Sequence, residues 1–289
     1  MKSISRDGKI IYEEGAQDEF LKKLYGSLIG RAALKVLTMS WISKAAGWFM
    51  DTRLSTLFID SFIKNNQIDL KEYVPKKYHS FNDCFTRKIK KGARPIDEDP
   101  DVLISPADGR VSVYKIDENA VFEIKNSKYT LESIVRDKKL AKEFQGGYLI
   151  IVRLCVDNYH RYCFADSGYL RKTTHIDGVL HTVNPIANDY YKIYKENSRS
   201  YSIIDTDHFD KILQMEFGAL MVGKIVNRKM IGHFDKGSEK GKFEYGGSTV
   251  AIAVKKDVVN IDSVFLDNTA DGYETRVKMG ESLARKKNK

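Results

Sequence analysis

Hydrophobic positions along this chain change their period near residue 100. Between Asp18 and about Asn65, apolar residues such as Leu21, Leu24, Leu28, Ile29, Leu34, Leu37, Trp41 and Ile42 recur at three- and four-residue steps, the spacing of a helical stripe. Gly26, Gly30 and Gly47 weaken any single long helix, so two or three shorter ones are predicted. Residues 1–16 are polar apart from a strand-like KIIYEE run. A short helix is expected near Ser80–Ile89, with Ser80 or Asn82 as its cap and the GARPID segment from Gly92 closing it. From Val102 the texture is that of strands. VLISPADGRVSVYKI, AVFEIKNSKYTL, GGYLIIVRLCV, GYLRKTTHIDGVLHTV, RSYSIIDT and ILQMEFGALMVGKIV are β-branched or aromatic runs separated by Gly, Asp, Asn and Pro. The expected fold is α+β: a helical, amphipathic N-terminal region, residues 1–95, packed on a mostly antiparallel β-rich region, residues 96–289. No repeat of fixed period and no Pro-, Gly- or Ser-rich linker divides the two.

Composition adds a partner class. The chain has 289 residues, 42% hydrophobic and 30% charged, enough for a sizeable core, and a net charge of +9 that implies an acidic partner. Lys22, Lys23, Arg31, Lys35, Lys44, Arg53 and Lys64 are interleaved with Trp41, Trp48, Phe49, Phe58 and Phe62, the make-up of an interfacial helix facing anionic lipid. The same aromatics would serve equally to pack on the protein's own core, and both readings stand for different faces. No nucleic-acid module accompanies the charge, which leaves a membrane surface as the favoured partner over nucleic acid. No window approaches the roughly 18 to 20 apolar residues of a span, and the N-terminus lacks a signal peptide's apolar core. A peripheral protein is expected. Three cysteines, Cys84, Cys155 and Cys163, without a CxxC pair, argue against a disulfide framework or structural zinc.

Candidate chemistry centres on KGSEKGKFEYGGSTVAIAV, from Lys236. Gly246 and Gly247 precede Ser248 and Thr249 and then an apolar strand, so the step can be a plain glycine hairpin or can hold a strained, accessible peptide bond beside a hydroxyl. Asp108 in SPADGRV reads on its own as turn chemistry, and His160 in VDNYHRYCF follows the most hydrophobic strand. An Asp, a His and a Ser this far apart form a triad only if the fold brings them together. His79, His175, His181, His208 and His233 show no metal-ligand spacing beyond the six-residue step of His175 and His181. Cys163 would face away from His160 on a strand. Lys125, Lys236, Lys240 and Lys242 read as solvated charge.

Several co-linear segments together resemble the phosphatidylserine decarboxylase family: FNDCFTRKIKKGARPID from Phe81, ISPADGRV from Ile104, DNYHRYCFADSG from Asp157, HTVNP from His181, ENSRSY from Glu196, FGALMVGKI from Phe217 and KGSEKGKFEYGGSTV from Lys236. The N-terminal GRAALKVL and FIDSFIK runs resemble that family's longer bacterial branch. The resemblance implies a proenzyme that cuts itself between Gly247 and Ser248, giving chains 1–247 and 248–289 that stay together. It implies a covalent pyruvoyl cofactor made from Ser248, with neither pyridoxal phosphate nor metal, which decarboxylates phosphatidylserine to phosphatidylethanolamine through a Schiff base. Asp108 corresponds to the orienting acid and His160 to a histidine of an HRxH-like motif. Other branches carry a second histidine three positions later, where this chain has Cys163, so the base role falls on His160. Location on the cytoplasmic face of the cell membrane is implied as well, and homo-oligomerisation is left open. Two alternatives differ in what they require: a pyruvoyl decarboxylase of a soluble amino acid needs no lipid, and an uncleaved anionic-lipid-binding protein keeps one full-length chain.

Overall fold

The fold, taken from a computed structural model, is described for residues 2–12, 40–118, 120, 122–124, 127–177, 198–218, 224–230, 232–244 and 248–287. Strands β1 (Lys2–Ile4) and β2 (Ile10–Tyr12) come first, followed by α1 (Ser40–Met50), a 3-10 turn over Arg53–Phe58, α2 (Ile59–Asn65) and α3 (Phe81–Phe85). Next are β3 (Val102–Ile104), β4 (Gly109–Lys115), the hairpin β5 (Phe122–Ile124) and β6 (Ser127–Tyr129), α4 (Leu131–Val135) and α5 (Lys138–Lys142). The β-rich part continues with β7 (Tyr148–Leu154), β8 (Arg161–Cys163), β9 (Gly168–Ile176), β10 (Arg199–Thr206), β11 (Lys211–Phe217), β12 (Lys224–Asn227), β13 (His233–Phe234) and β14 (Glu239–Glu244). It ends with β15 (Ser248–Val254), β16 (Val259–Ile261), α6 (Ser263–Ala270), β17 (Glu274–Val277) and β18 (Ser282–Lys286). This is the expected α+β fold.

Ten strands make the main sheet, in the order β13-β9-β10-β11-β15-β7-β4-β17-β1-β2, and every neighbouring pair is antiparallel except β1 with β17. Alternation along β7 and β15 sends side chains to opposite faces. Ile150, Val152, Leu154, Val250, Ile252 and Val254 enter one core with Tyr162, Phe164, Phe243 and Phe265. Leu149, Ile151, Ala251 and Ala253 enter another with Leu131, Ile134, Val135 and Leu140 of the helical pair α4 and α5. Both faces are covered, which is why these strands read as continuous apolar runs and not as alternating ones. The KIIYEE run lies where a strand was expected, as β2, and β1 and β2 join the main sheet beside β17.

In the helical part, Ser80 is the cap: its hydroxyl accepts from the Asp83 amide at 3.1 Å. The helix it starts ends at Phe85, short of Ile89, because Ile89 pairs with Tyr73 in an isolated bridge. Phe62 packs edge-on to Phe81, with centroids 4.9 Å apart, and turns inward. Trp48, Leu54, Leu57 and Phe58 instead stand 72, 67, 79 and 52% exposed. The core-packing reading thus holds for Phe62, while Trp48, Leu54, Leu57 and Phe58 lie on the outer side of the helical layer. Among the described residues no helix is long and apolar enough to cross a membrane.

Candidate active site

Ser248 opens β15, the strand between β11 and β7, and is fully buried opposite Leu154. The register of β4 against β7 continues that row to Gly109, so Asp108 sits one residue past it, two strand spacings or about 10 Å from Ser248. Gly109 is required there because a Cβ would come within 2.7 Å of the Arg153 carbonyl oxygen. His160 reaches the same end of the sheet by another route. Its carbonyl accepts from the Phe243 amide at 2.9 Å, which ties it to β14, the strand leading towards Ser248. Gly246, Gly247, Lys125 and His181 lie outside the described residues.

Asp108 is buried and held from three directions. Arg94 donates from Nε at 2.7 Å and from Nη2 at 2.6 Å, and the Met279 amide donates at 2.9 Å. Burial works against the Arg94 charge, but Asp108 and then Glu72 outweigh it and hold the guanidinium above its ordinary range. The hydrogen bonds of the Asp108 carboxylate go to Arg94 and Met279, and the His160 ring is held by another group. The imidazole Nδ1 donates to the Asn158 carbonyl at 2.9 Å, and Asn158 is itself fixed by its side-chain oxygen accepting from the Cys155 amide at 2.8 Å. A bidentate arginine occupies the carboxylate that a triad would have aimed at the ring. The Asp108 charge acts on Cys163 instead: burial pushes that thiol up to about 12 and the carboxylate adds to the rise.

His160 has no exposed surface, and its ring lies 3.9 Å, centroid to centroid, from Phe85. Burial first, then the Arg87 charge, lowers its pKa to about 3, so the ring is neutral near pH 7. With Nδ1 carrying the proton, Nε2 holds a lone pair, and among the described residues it has no hydrogen-bond partner. A neutral histidine with a fixed tautomer and an unused lone pair is a base in waiting.

One group escaped the sequence reading. Lys240 is buried, not solvated: its Nζ donates to Glu216 Oε1 at 2.7 Å and to Asn227 Oδ1 at 3.1 Å, and the Asn227 amide donates to Glu216 Oε2 at 3.2 Å. Burial pulls the lysine down and the glutamate up. Glu216 lies opposite Val250, on the face that Ser248 shares. Lys236 is also largely enclosed, donating to the carbonyls of Asp99 at 2.7 Å and Val102 at 2.8 Å. A sequence places both lysines in a run of charge; only the fold turns them inward, Lys240 through the packing of β14 over the main sheet and Lys236 through the carbonyls of Asp99 and Val102. Among the described residues no three His, Cys, Asp or Glu side chains are grouped to hold a metal.

A buried serine at the head of a central strand, with a buried neutral histidine whose carbonyl is hydrogen-bonded to the strand before it, is the equipment of an enzyme and not of a binding module. The phosphatidylserine decarboxylase pattern matches residues 81–285. The chain is 44% identical over 281 residues to phosphatidylserine decarboxylase proenzyme 2 of Clostridium acetobutylicum, covering 96% of each. It is 40% identical over 285 residues to a phosphatidylserine decarboxylase proenzyme of Clostridium botulinum, covering 95% of each, and 39% identical over 277 residues to that of Ruminiclostridium cellulolyticum, covering 94% of this chain and 92% of the relative. The chain belongs to the phosphatidylserine decarboxylase family.

Proposed function

We propose that this chain is a proenzyme that cuts itself between Gly247 and Ser248 and then converts phosphatidylserine to phosphatidylethanolamine and CO2. The unpartnered, buried Nε2 of a neutral His160 carries this reading. A serine hydroxyl is a poor nucleophile until a base takes its proton. His160 removes it, Ser248 Oγ attacks the Gly247 carbonyl carbon, and the C–N bond breaks as the peptide becomes an ester. Loss of the Ser248 α-proton then expels the Gly247 carboxylate, and water converts the remaining enamine, through its imine, to a pyruvoyl group with release of ammonia. Asp108 contributes by fixing Arg94 and Met279 at the sheet end, as a positioning residue.

The residues fit such a group. Ser248 is enclosed at the head of a strand, with a neutral nitrogen base anchored beside its approach strand. The pyruvoyl group supplies an electrophilic carbonyl that condenses with the substrate amine and accepts the electron pair left by CO2. His160 Nε2, having taken a proton from the substrate ammonium as the amine condenses, delivers it to the carbon that has lost CO2. The chains 1–247 and 248–289 stay together because β15, buried along its whole length, remains hydrogen-bonded between β11 and β7.

Residues 1–95 supply the membrane contact and residues 96–289 the catalytic part. Trp48, Leu54, Leu57 and Phe58, with exposed Arg53 and Lys64 nearby, suit insertion of an apolar knuckle under anionic headgroups on the cytoplasmic face. Intact-mass measurement on purified protein tests the proposal. Two species are expected, the smaller beginning at a blocked residue 248, with CO2 released from phosphatidylserine vesicles. A single uncut mass would overturn it, and activity on free serine without lipid would move the substrate to a soluble amino acid.

A further inference from the structure

Four strands place a row of side chains on the face of the sheet turned away from Ser248. Arg276 stands opposite Arg110, Arg110 opposite Arg153, and Arg153 opposite Thr249. Directly opposed residues in antiparallel strands share a face, with Cβ atoms about 5 Å apart. Arg110, Arg153 and Thr249 are 6, 8 and 3% exposed. Arg276 is exposed, and with Arg110 it lines a cleft of about 470 Å³ that also touches Asp108 and Cys155. Arg153 stands behind the same wall, its Nη1 3.8 Å from the Cys155 sulfur, and is paired with Glu274 at 2.9 and 2.5 Å. The Thr249 hydroxyl at the inner end of this row is buried and, among the described residues, has no hydrogen-bond partner. A buried hydroxyl left so is disfavoured unless a bound group uses it.

We propose that Arg110, Arg153 and Thr249 form an anion site that takes the phosphodiester of the lipid headgroup. This rests on the lipid decarboxylase reading. Guanidinium forks match phosphate oxygens in two-point contacts, and a hydroxyl adds a donor. The serine carboxylate is the poorer occupant. It must shed its charge as CO2 leaves, so a guanidinium clamp on it would stabilise the ground state and slow the reaction, whereas the phosphodiester keeps its charge throughout. Four bonds separate the headgroup nitrogen from phosphorus, about 5 Å, and Thr249 follows Ser248 by one Cα step of about 3.8 Å, so a headgroup held at residue 248 reaches the Thr249 end of the row; Arg153 and Arg110 stand one and two strand spacings further, about 5 and 10 Å, which their long side chains must span.

Calorimetric titration of the full-length Ser248→Ala chain with glycerophosphoserine tests the site without any turnover. Binding is expected, with free serine failing to bind and inorganic phosphate competing weakly. Arg110→Gln and Thr249→Val should each weaken glycerophosphoserine tenfold or more. Thr249→Val should keep or raise Tm, since it removes a hydroxyl that has no partner, so its lost affinity is not a folding defect. In the processed enzymes both changes should raise KM for phosphatidylserine more than they lower kcat. Unaltered glycerophosphoserine affinity and KM in both variants overturns the site while leaving the decarboxylase reading intact. Arginine-dependent diester binding in a chain that releases no CO2 from phosphatidylserine would overturn that reading and keep the site as one for phosphodiesters.

Discussion

His160 Nδ1 donates to the carbonyl of Asn158, 2.9 Å away, and this contact sets which ring nitrogen is free to act as base. Replacing His160 by Ala should abolish processing and leave one full-length mass. A ring titrating near 3 is already neutral above about pH 5, so the processing rate of the wild type should be level from about pH 6 to 8 as far as this group governs it. A bell centred on pH 6 to 7 would show that another histidine is the base.

The same burial predicts acid lability. The folded pKa of His160 lies below the roughly 6.5 of an exposed histidine, so between these values the unfolded chain binds more protons than the folded one. The stability is full above about pH 6.5 and is lost as pH falls towards about 3. Melting curves at stepped pH check this: Tm should fall less steeply on acidification in His160→Gln than in wild type.

Arg94 and Asp108 act as one unit, which makes their variants non-additive. Removing one member of a buried pair leaves the other charge uncompensated, at a cost of about 3 to 5 kcal/mol. Asp108→Ala and Arg94→Met should each lower stability by about that much and slow processing to a similar degree, since the first frees the Met279 amide and strands Arg94, and the second leaves the Asp108 carboxylate buried without its guanidinium. The double variant should fall short of the summed losses by more than about 1 kcal/mol in denaturant titrations. Full additivity would mean the two side chains work independently.

How far the chain announces this arrangement depends on the residue. The period change near residue 100, the Ser80 cap and the apolar β15 follow from local chemistry, and so they read directly. Ser248 stands out as a candidate because co-linear segments resemble a family, not because glycine, serine and strand are diagnostic. The pairing of Asp108 with Arg94 is not legible in the sequence, because Arg94 lies in a segment that reads as a helix stop, and only the fold carries it across to the turn before β4. Lys240 hid for a similar reason. Its neighbours Glu239 and Lys242 meet partners at the surface, and the choice of which residue in an alternating run faces inward belongs to the packing of β14.

Lys240 and Glu216 sit below 3% side-chain exposure, in a region otherwise filled by Tyr162, Phe164 and Phe243. Lys240→Met alone strands a buried carboxylate and should destabilise by about 3 kcal/mol or more, while Lys240→Met with Glu216→Leu should recover most of it. Chemical denaturation of the three proteins measures the recovery. Failure of the double variant to recover would mean that the pair also holds Asn227 and Tyr162 in place, through the bonds both make to it or to each other.

The exposed apolar knuckle separates membrane docking from chemistry. Trp48, Leu57 and Leu54 are each at least two thirds exposed, and none touches the described residues of the site, so changing them alters the surface and not the core. Trp48→Ser with Leu57→Ser should leave self-cleavage and Tm within error, because exposed substitutions outside special features shift stability by about 0.5 kcal/mol or less. Binding to vesicles containing anionic lipid should fall by tenfold or more, since two large side chains lose about 1.5 to 3 kcal/mol of burial each when they no longer enter the acyl boundary. Co-sedimentation with vesicles, at low and high salt, distinguishes the contributions: the wild type should keep part of its binding at high salt through the apolar contact, and the double variant should lose nearly all of it as screening removes what Arg53 and Lys64 supply. Equal retention of both proteins at high salt would place the membrane contact elsewhere on the chain.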